Sequence, residues 1–180
     1  MTITIDITED KLLTALRGFL LPIVQCEVFQ GQGNRATVPK DPFVEMTTIR
    51  TEGLSTNKEI WADTGNSATS AIKNTRSSKW TVQLDFYGET SMDAANLVAG
   101  LIRTDFACTQ FAASGVDMAP LYADEPHQTT MINGEQQYEG RWTFDFVAQF
   151  NPVITTPMQY ADHLQIQLAE VDVIFPPRIA

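Results

Sequence analysis

Lys79-Trp80-Thr81-Val82-Gln83-Leu84-Asp85-Phe86-Tyr87-Gly88 alternates apolar and polar side chains over its whole length. Successive side chains of an extended backbone point to opposite faces. Trp80, Val82, Leu84 and Phe86 therefore share one side, and Thr81, Gln83, Asp85 and Tyr87 the other. This predicts a half-buried strand stopped by Gly88, with Thr90 and Ser91 offering hydroxyls to cap a following helix. Residues 137–150 repeat the alternation. Tyr138, Trp142, Phe144, Phe146, Ala148 and Phe150 fall on one face; Gln137, Glu139, Arg141, Thr143, Asp145 and Gln149 fall on the other. Two such strands need apolar cover, and two helices supply it.

The first helix is predicted to begin at Thr8, with Glu9 and Asp10 in the turn where the helix dipole favours acids. Leu12, Leu13, Leu16, Phe19 and Leu20 form a core-facing stripe, and Pro22 is expected to end it. The second helix carries Met92, Ala95, Leu97, Val98, Leu101 and Ile102 on one side. Phe106 is expected to extend it, and Phe111 to open a short further turn. Residues 24–29 and 43–50 read as strands, 112–128 as a loop punctuated by Pro120 and Pro126, and 129–132 as a short edge strand before the hairpin dipeptide Asn133-Gly134. From His163 the apolar positions change phase at Ala169-Glu170, which predicts a one-residue bulge, and Pro176-Pro177 closes the domain.

Between these lies a segment rich in Thr, Ser, Asn and Ala. Residues 58–62 lead to the turn Asp63-Thr64-Gly65-Asn66, and 68–76 return from it. Its only large apolar residues are Ile60, Trp61 and Ile72, so this arm of about 56–78 is expected to be mobile in the isolated subunit or clamped to another chain. The predicted class is α+β: a mostly antiparallel (mixed) β-sheet, two helices packed on one face and a long projecting β-hairpin arm, all in one domain over 1–180.

The chain has 180 residues, 43% of them hydrophobic, which suits one globular domain with a full core. A net charge of −10 argues against general binding to a phosphate backbone, since that requires clustered Lys and Arg. No apolar run approaches the ~20 residues of a membrane span. The N-terminus lacks the basic segment of a signal peptide. Cys26 and Cys108 are expected to be buried free thiols.

Gly31-Gln32-Gly33-Asn34-Arg35-Ala36 has the spacing of a dinucleotide loop. That loop needs a helix N-terminus to hold the pyrophosphate, and Pro39 and Pro42 exclude the helix. A surface turn is expected, its glycines serving positive φ. His127 and His163 lack metal-ligand neighbours, and no serine sits in a nucleophile elbow. Asp85, Glu139 and Asp145 on the polar strand faces would suit an acid pair. The plainer reading is that Arg141 pairs with Glu139 or Asp145. No catalytic residue, cofactor or metal ligand is assigned.

Several segments together resemble the neck or tail terminator proteins of tailed bacteriophages. They are Gln30-Gly31-Gln32-Gly33-Asn34-Arg35 with Val38-Pro39, Phe43-Val44-Glu45-Met46-Thr47, residues 80–88, Pro120-Leu121-Tyr122-Ala123-Asp124, residues 133–142 and Gln159-Tyr160-Ala161-Asp162. The resemblance implies a structural virion protein, assembled in the host bacterial cytoplasm, that forms a ring, usually hexameric. Such a ring caps the tail tube, stops its polymerisation and offers the head-to-tail joining interface. Its neighbours would be the tail tube protein, the tail sheath and the head-completion or connector protein, with DNA passing through the lumen without specific binding. Another neck, collar or connector component, or a small-ligand-binding domain or enzyme, is the alternative. Arg35, Arg50, Lys58, Trp61, Arg76 and Arg141 are the candidate subunit or partner contacts.

Overall fold

In a computed structural model of the chain, residues 2–33, 39, 42–66, 68–132 and 138–158 are described. In chain order the elements are β1 (Thr4–Ile5), α1 (Glu9–Val24), β2 (Glu27–Gln30), β3 (Phe43–Gly53), β4 (Lys58–Ala62), β5 (Ala71–Thr75) and β6 (Ser78–Tyr87). There follow α2 (Ser91–Ile102), α3 (Asp105–Ala113), β7 (Met118–Ala123), β8 (His127–Gln128), β9 (Met131–Ile132), β10 (Tyr138–Glu139), β11 (Arg141–Phe150) and β12 (Val153–Pro157).

The two alternating stretches are the paired centre of the larger sheet. Its strand order is β2-β3-β6-β11-β7, with β8 also on β11. β6 and β11 run antiparallel from Arg141 opposite Tyr87 to Phe150 opposite Ser78. β2 is parallel to β3, so the sheet is mixed, as expected. Trp80, Val82, Leu84, Phe86, Phe144 and Phe146 are buried beneath the helices together with the α1 stripe. Rings join the layers: Phe111 stacks on Phe19 of α1 at 5.0 Å and on Phe146 of β11 at 5.7 Å.

The helical layer departs from expectation. Among the described residues three helices cover the sheet, not two, because Phe106 and Phe111 belong to a separate α3. Thr8 caps α1 as predicted, accepting from the Lys11 N–H. Pro22 does not end α1. A proline removes only its own N–H and here sits in the last turn, and Gln25, at φ 52°, closes the helix by donating to the Leu21 carbonyl. That displaces the next strand to Glu27–Gln30. On α2, Ala95, Val98 and Ile102 are buried, but Met92 and Leu97 lie outside.

Within 112–128, predicted as loop, β7 pairs with β11 along the sheet edge. Pro120 is tolerated because the register shifts beside it: Val147 faces Tyr122 while Ala148 faces Pro120. A similar shift in β3 between Thr48 and Arg50 extends that strand to Gly53 and turns Ile49 outward. Residues 129–139 do hold a strand pair, β9 with β10, but the strand expected over 137–150 is broken at Gly140: β10 and β11 belong to separate sheets, and Tyr138 is exposed instead of lying on the core face. The turn of that pair, Asn133-Gly134, lies outside the described residues, as does the bulge expected after His163.

The arm forms the predicted hairpin, with Lys58 opposite Thr75 and Ala62 opposite Ala71. Its turn is knit by side chains: Asp63 accepts from the Gly65 N–H at 2.7 Å, and Asn66 from the Ala68 N–H at 2.8 Å. Contrary to expectation, the hairpin has a partner within its own chain. β5 pairs with β12 over five positions, and β12 pairs with β1, giving a second sheet of order β1-β12-β5-β4. Gly53, Ser78 and Phe150 stand side by side at one end of the large sheet. From there three central strands run on into the smaller one. Ser77 and Asn151 bond side chain to side chain at that junction, at 2.9 Å.

Candidate interaction surfaces

The outward face of β3, β6 and β11 carries the polar half of the alternation. Asp85 is only 2% exposed, and its carboxylate is fully engaged. Arg141 Nε donates to Oδ1 at 3.1 Å with its Nη2 at 3.0 Å. Thr143 donates to the same oxygen, and Gln83 to Oδ2 at 2.8 Å. Arg141 thus pairs across the strands with Asp85, not with Glu139 or Asp145. Arg141 faces Tyr87 in the register, two positions from Thr143 opposite Asp85 and on the same face, whereas Glu139 belongs to the separate β10 strand.

The guanidinium also lies 5.6 Å from the centre of the Tyr87 ring. Tyr87 stacks on Phe43 at 4.4 Å, and Phe43 meets Phe29 at 5.6 Å, forming an aromatic row across three strands. The Tyr87 hydroxyl donates to Glu45, and burial raises its pKa against the opposing pull of Arg141. Asp145 is also raised, first by burial and then by Asp124, while Arg50 and His127 act the other way. One carboxylate of the proposed acid pair is thereby occupied by a structural bond. A cavity of about 770 Å³ opens elsewhere, between α1 and α3, lined by Asp6, Asp10, Phe19, Gln110, Val116 and Asp117 among others. Among the described residues no three His, Cys, Asp or Glu side chains come together to hold a metal ion, and no helix is long and apolar enough to cross a membrane.

The Gly31 turn needs its glycine for space, not for positive φ. A Cβ there would overlap the side chains of Glu45 and Thr47, and the positive φ, 61°, falls on Gln32. Neither cysteine is fully buried: Cys26 is half-buried, which raises its thiol pKa, and Cys108 is exposed.

Five of the six candidate contact residues lie among the described residues. Arg35 lies outside the described residues. Arg50 is exposed and paired with Glu52 at 3.0 Å; Lys79 donates to the same carboxylate and holds it below the usual range. Arg76 packs its guanidinium where a Gly53 Cβ would stand. Arg141 is committed to Asp85. Lys58 and Trp61 are both exposed on β4, an edge strand of the smaller sheet.

That sheet carries a surface the alternation alone did not disclose. In an antiparallel ladder, opposed residues share a face. The register places Ile5 beside Ile154 and Thr156 beside Ile72 and Trp61, all on one side. Ile5, Ile154 and Trp61 are exposed there, as is Ile3 two residues before Ile5, and Trp61 is 66% exposed. Ile3 and Ile154 were missed because the small sheet joins segments about 150 residues apart, and no local periodicity marks them.

No curated protein matches the chain. A family model described as phage neck terminator protein matches residues 10–175, from the first turn of α1 to beyond β12. The chain belongs to the phage neck terminator family.

Proposed function

We propose that this chain, as one domain over 1–180, assembles into a ring, hexameric by the resemblance noted above, that caps the tail tube. In this role it stops tube polymerisation and joins the tail to the head. Its partners are further copies of itself, the tail tube protein, the tail sheath and the head-completion or connector protein. Its role is structural rather than catalytic, in a virion assembled in the host cytoplasm.

The family match carries the neck reading. Support for assembly comes from the exposed Trp61 on an edge strand, since an exposed tryptophan among isoleucines suits a protein contact. The net charge of −10 fits a lumen along which DNA passes without adhering. The test is a phage lacking this protein. Overlong tubes, or heads and tails left unjoined, are expected; tails of uniform normal length joined to heads would overturn the reading.

A further inference from the structure

The smaller sheet has two edges, β1 and β4, and among the described residues neither is paired on its outer side. Both strands are exposed: the two residues of β1 entirely, and four of the five in β4. An open edge presents unpaired N–H and C=O groups and invites another strand. We infer that the two edges are made for each other, β4 of one copy pairing antiparallel with β1 of the next, so that the small sheet runs on from subunit to subunit.

Three observations carry this. The first is strand direction. β1, β12, β5 and β4 alternate without exception, each pair antiparallel. Four alternating strands leave the outer two opposed. A copy added beyond β4 in the same orientation then meets it antiparallel through its β1, and the alternation continues.

The second is the apolar face. In a continued sheet Ile3 and Ile5 of one copy must lie on the same side as Glu59 and Trp61 of its neighbour, because opposed residues share a face. Setting Thr4 opposite Ile60 places Ile3 against Trp61. These are two of the most exposed large apolar side chains, at 65% and 66%. Each covers the other.

The third is charge. The same register puts Asp6 opposite Lys58, an acid against a base at the end of the ladder; Asp6 Oδ1 accepts the Val153 N–H of its own chain at 2.7 Å, so the lysine of the neighbouring copy meets the other carboxylate oxygen. A shift of two residues would set Asp6 against Ile60 and lose that pair. The contact joins two different edges, so it is head-to-tail and builds a ring if the rotation between copies closes. Two short strands supply part of the roughly 800 Å² per partner that a stable contact buries, and the flanking apolar face extends it. The inference rests on the ring proposed above and names the strands that join it.

The test uses the full chain with Cys26 and Cys108 replaced by alanine, carrying Ile3→Cys and Trp61→Cys together or singly. Mild oxidation of the double variant is expected to give a covalent ladder of monomer multiples ending at the size of the native assembly. Either single variant should give none. Dimers from Trp61→Cys alone would mean that β4 pairs with itself about a two-fold axis, and would overturn the inference. Absence of a ladder would overturn it too. The mass of the unmodified protein in solution, alone and with tail tube protein, separates the two readings: a ring whose double variant does not cross-link retires the strand pairing and leaves the ring. Because cysteines at the contact could weaken it, hydrogen exchange on the unmodified assembly gives a second reading. The amides of β1 and β4 should gain protection relative to dissociated subunits, and unchanged exchange at both edges would also overturn the pairing.

Discussion

At the scale of single residues the outer sheet face is an electrostatic arrangement built around Asp85. Its carboxylate is buried and holds Arg141, Thr143 and Gln83, so the face is tied together across β6 and β11. For Asp145, two residues along β11 from Thr143, the attraction of Arg50 and His127 does not offset burial. Burial and the neighbouring Asp124 raise its pKa. A carboxyl whose folded pKa lies above its unfolded value binds protons more tightly when folded. Its contribution therefore falls as pH rises from the ordinary aspartate range through the raised value, and the full cost persists above it. Asp145→Asn is expected to raise the melting temperature modestly at neutral pH. Below the ordinary aspartate range of about 4, where both states are protonated, the gain should vanish. Thermal melts at the two pH values check this; an equal or opposite effect at neutral pH would show that Asp145 is stabilised by its surroundings instead.

At the scale of elements, aliphatic side chains of the helices and aromatic rings of the central strands share one core. Phe144 is fully buried and stacks on Phe86 at 5.5 Å. Phe144→Ala should cost about 3–5 kcal/mol, from lost transfer energy and the cavity left behind. Urea unfolding measures it, and a loss under about 1 kcal/mol would mean that the site collapses freely. The hairpin carries a second expectation. β5 lies between β4 and β12, so its amides should be protected from exchange even in the isolated subunit, with β4 less so. Uniformly fast exchange over 58–75 would show that the pairing with β12 opens readily in solution. The chain was expected to leave this arm without a partner because β12 follows Asn151-Pro152, where the preceding alternation stops. Val153-Ile154-Thr155-Thr156-Pro157 is too short to announce a strand by period alone.

At the scale of the whole molecule, the core and the surface proposed for assembly are separate. The core lies between the helices and the large sheet, while Trp61 is exposed on the smaller one. Trp61→Ala should leave subunit stability within about 0.5 kcal/mol, as for other exposed positions. If Trp61 anchors a contact worth about 2 kcal/mol, the same change weakens assembly about 30-fold. Sedimentation of the subunit over a concentration series would show it. Assembly unchanged by the substitution would place the contact elsewhere. Of the basic candidates for a contact, Arg141 and Arg50 are engaged within the chain and Arg76 packs on Gly53.

Residue order by itself determined what depends on neighbours within a few positions. The period-two alternation of 80–86 and 137–150 identified both central strands and the apolar face each turns to the helices, but not the break at Gly140 or the burial of Thr81, Asp85, Tyr87 and Thr143 on the other face; Thr8 with the leucine stripe identified α1. The terminator resemblance was also legible, carried by short segments in order along most of the chain, and it agrees with the family match. Tertiary structure alone decided which distant segments became neighbours. Arg141 reaches Asp85, 56 positions away, because the β6–β11 register sets them close together. Pro120 enters a strand because β11 offers it an edge with a register shift. The hairpin joins β12 and β1 because three strands of the large sheet end together and continue there. Such contacts depend on strand order and register, which short-range periodicity does not encode. For that reason the core could be read from the chain, while the smaller sheet and its exposed face could not.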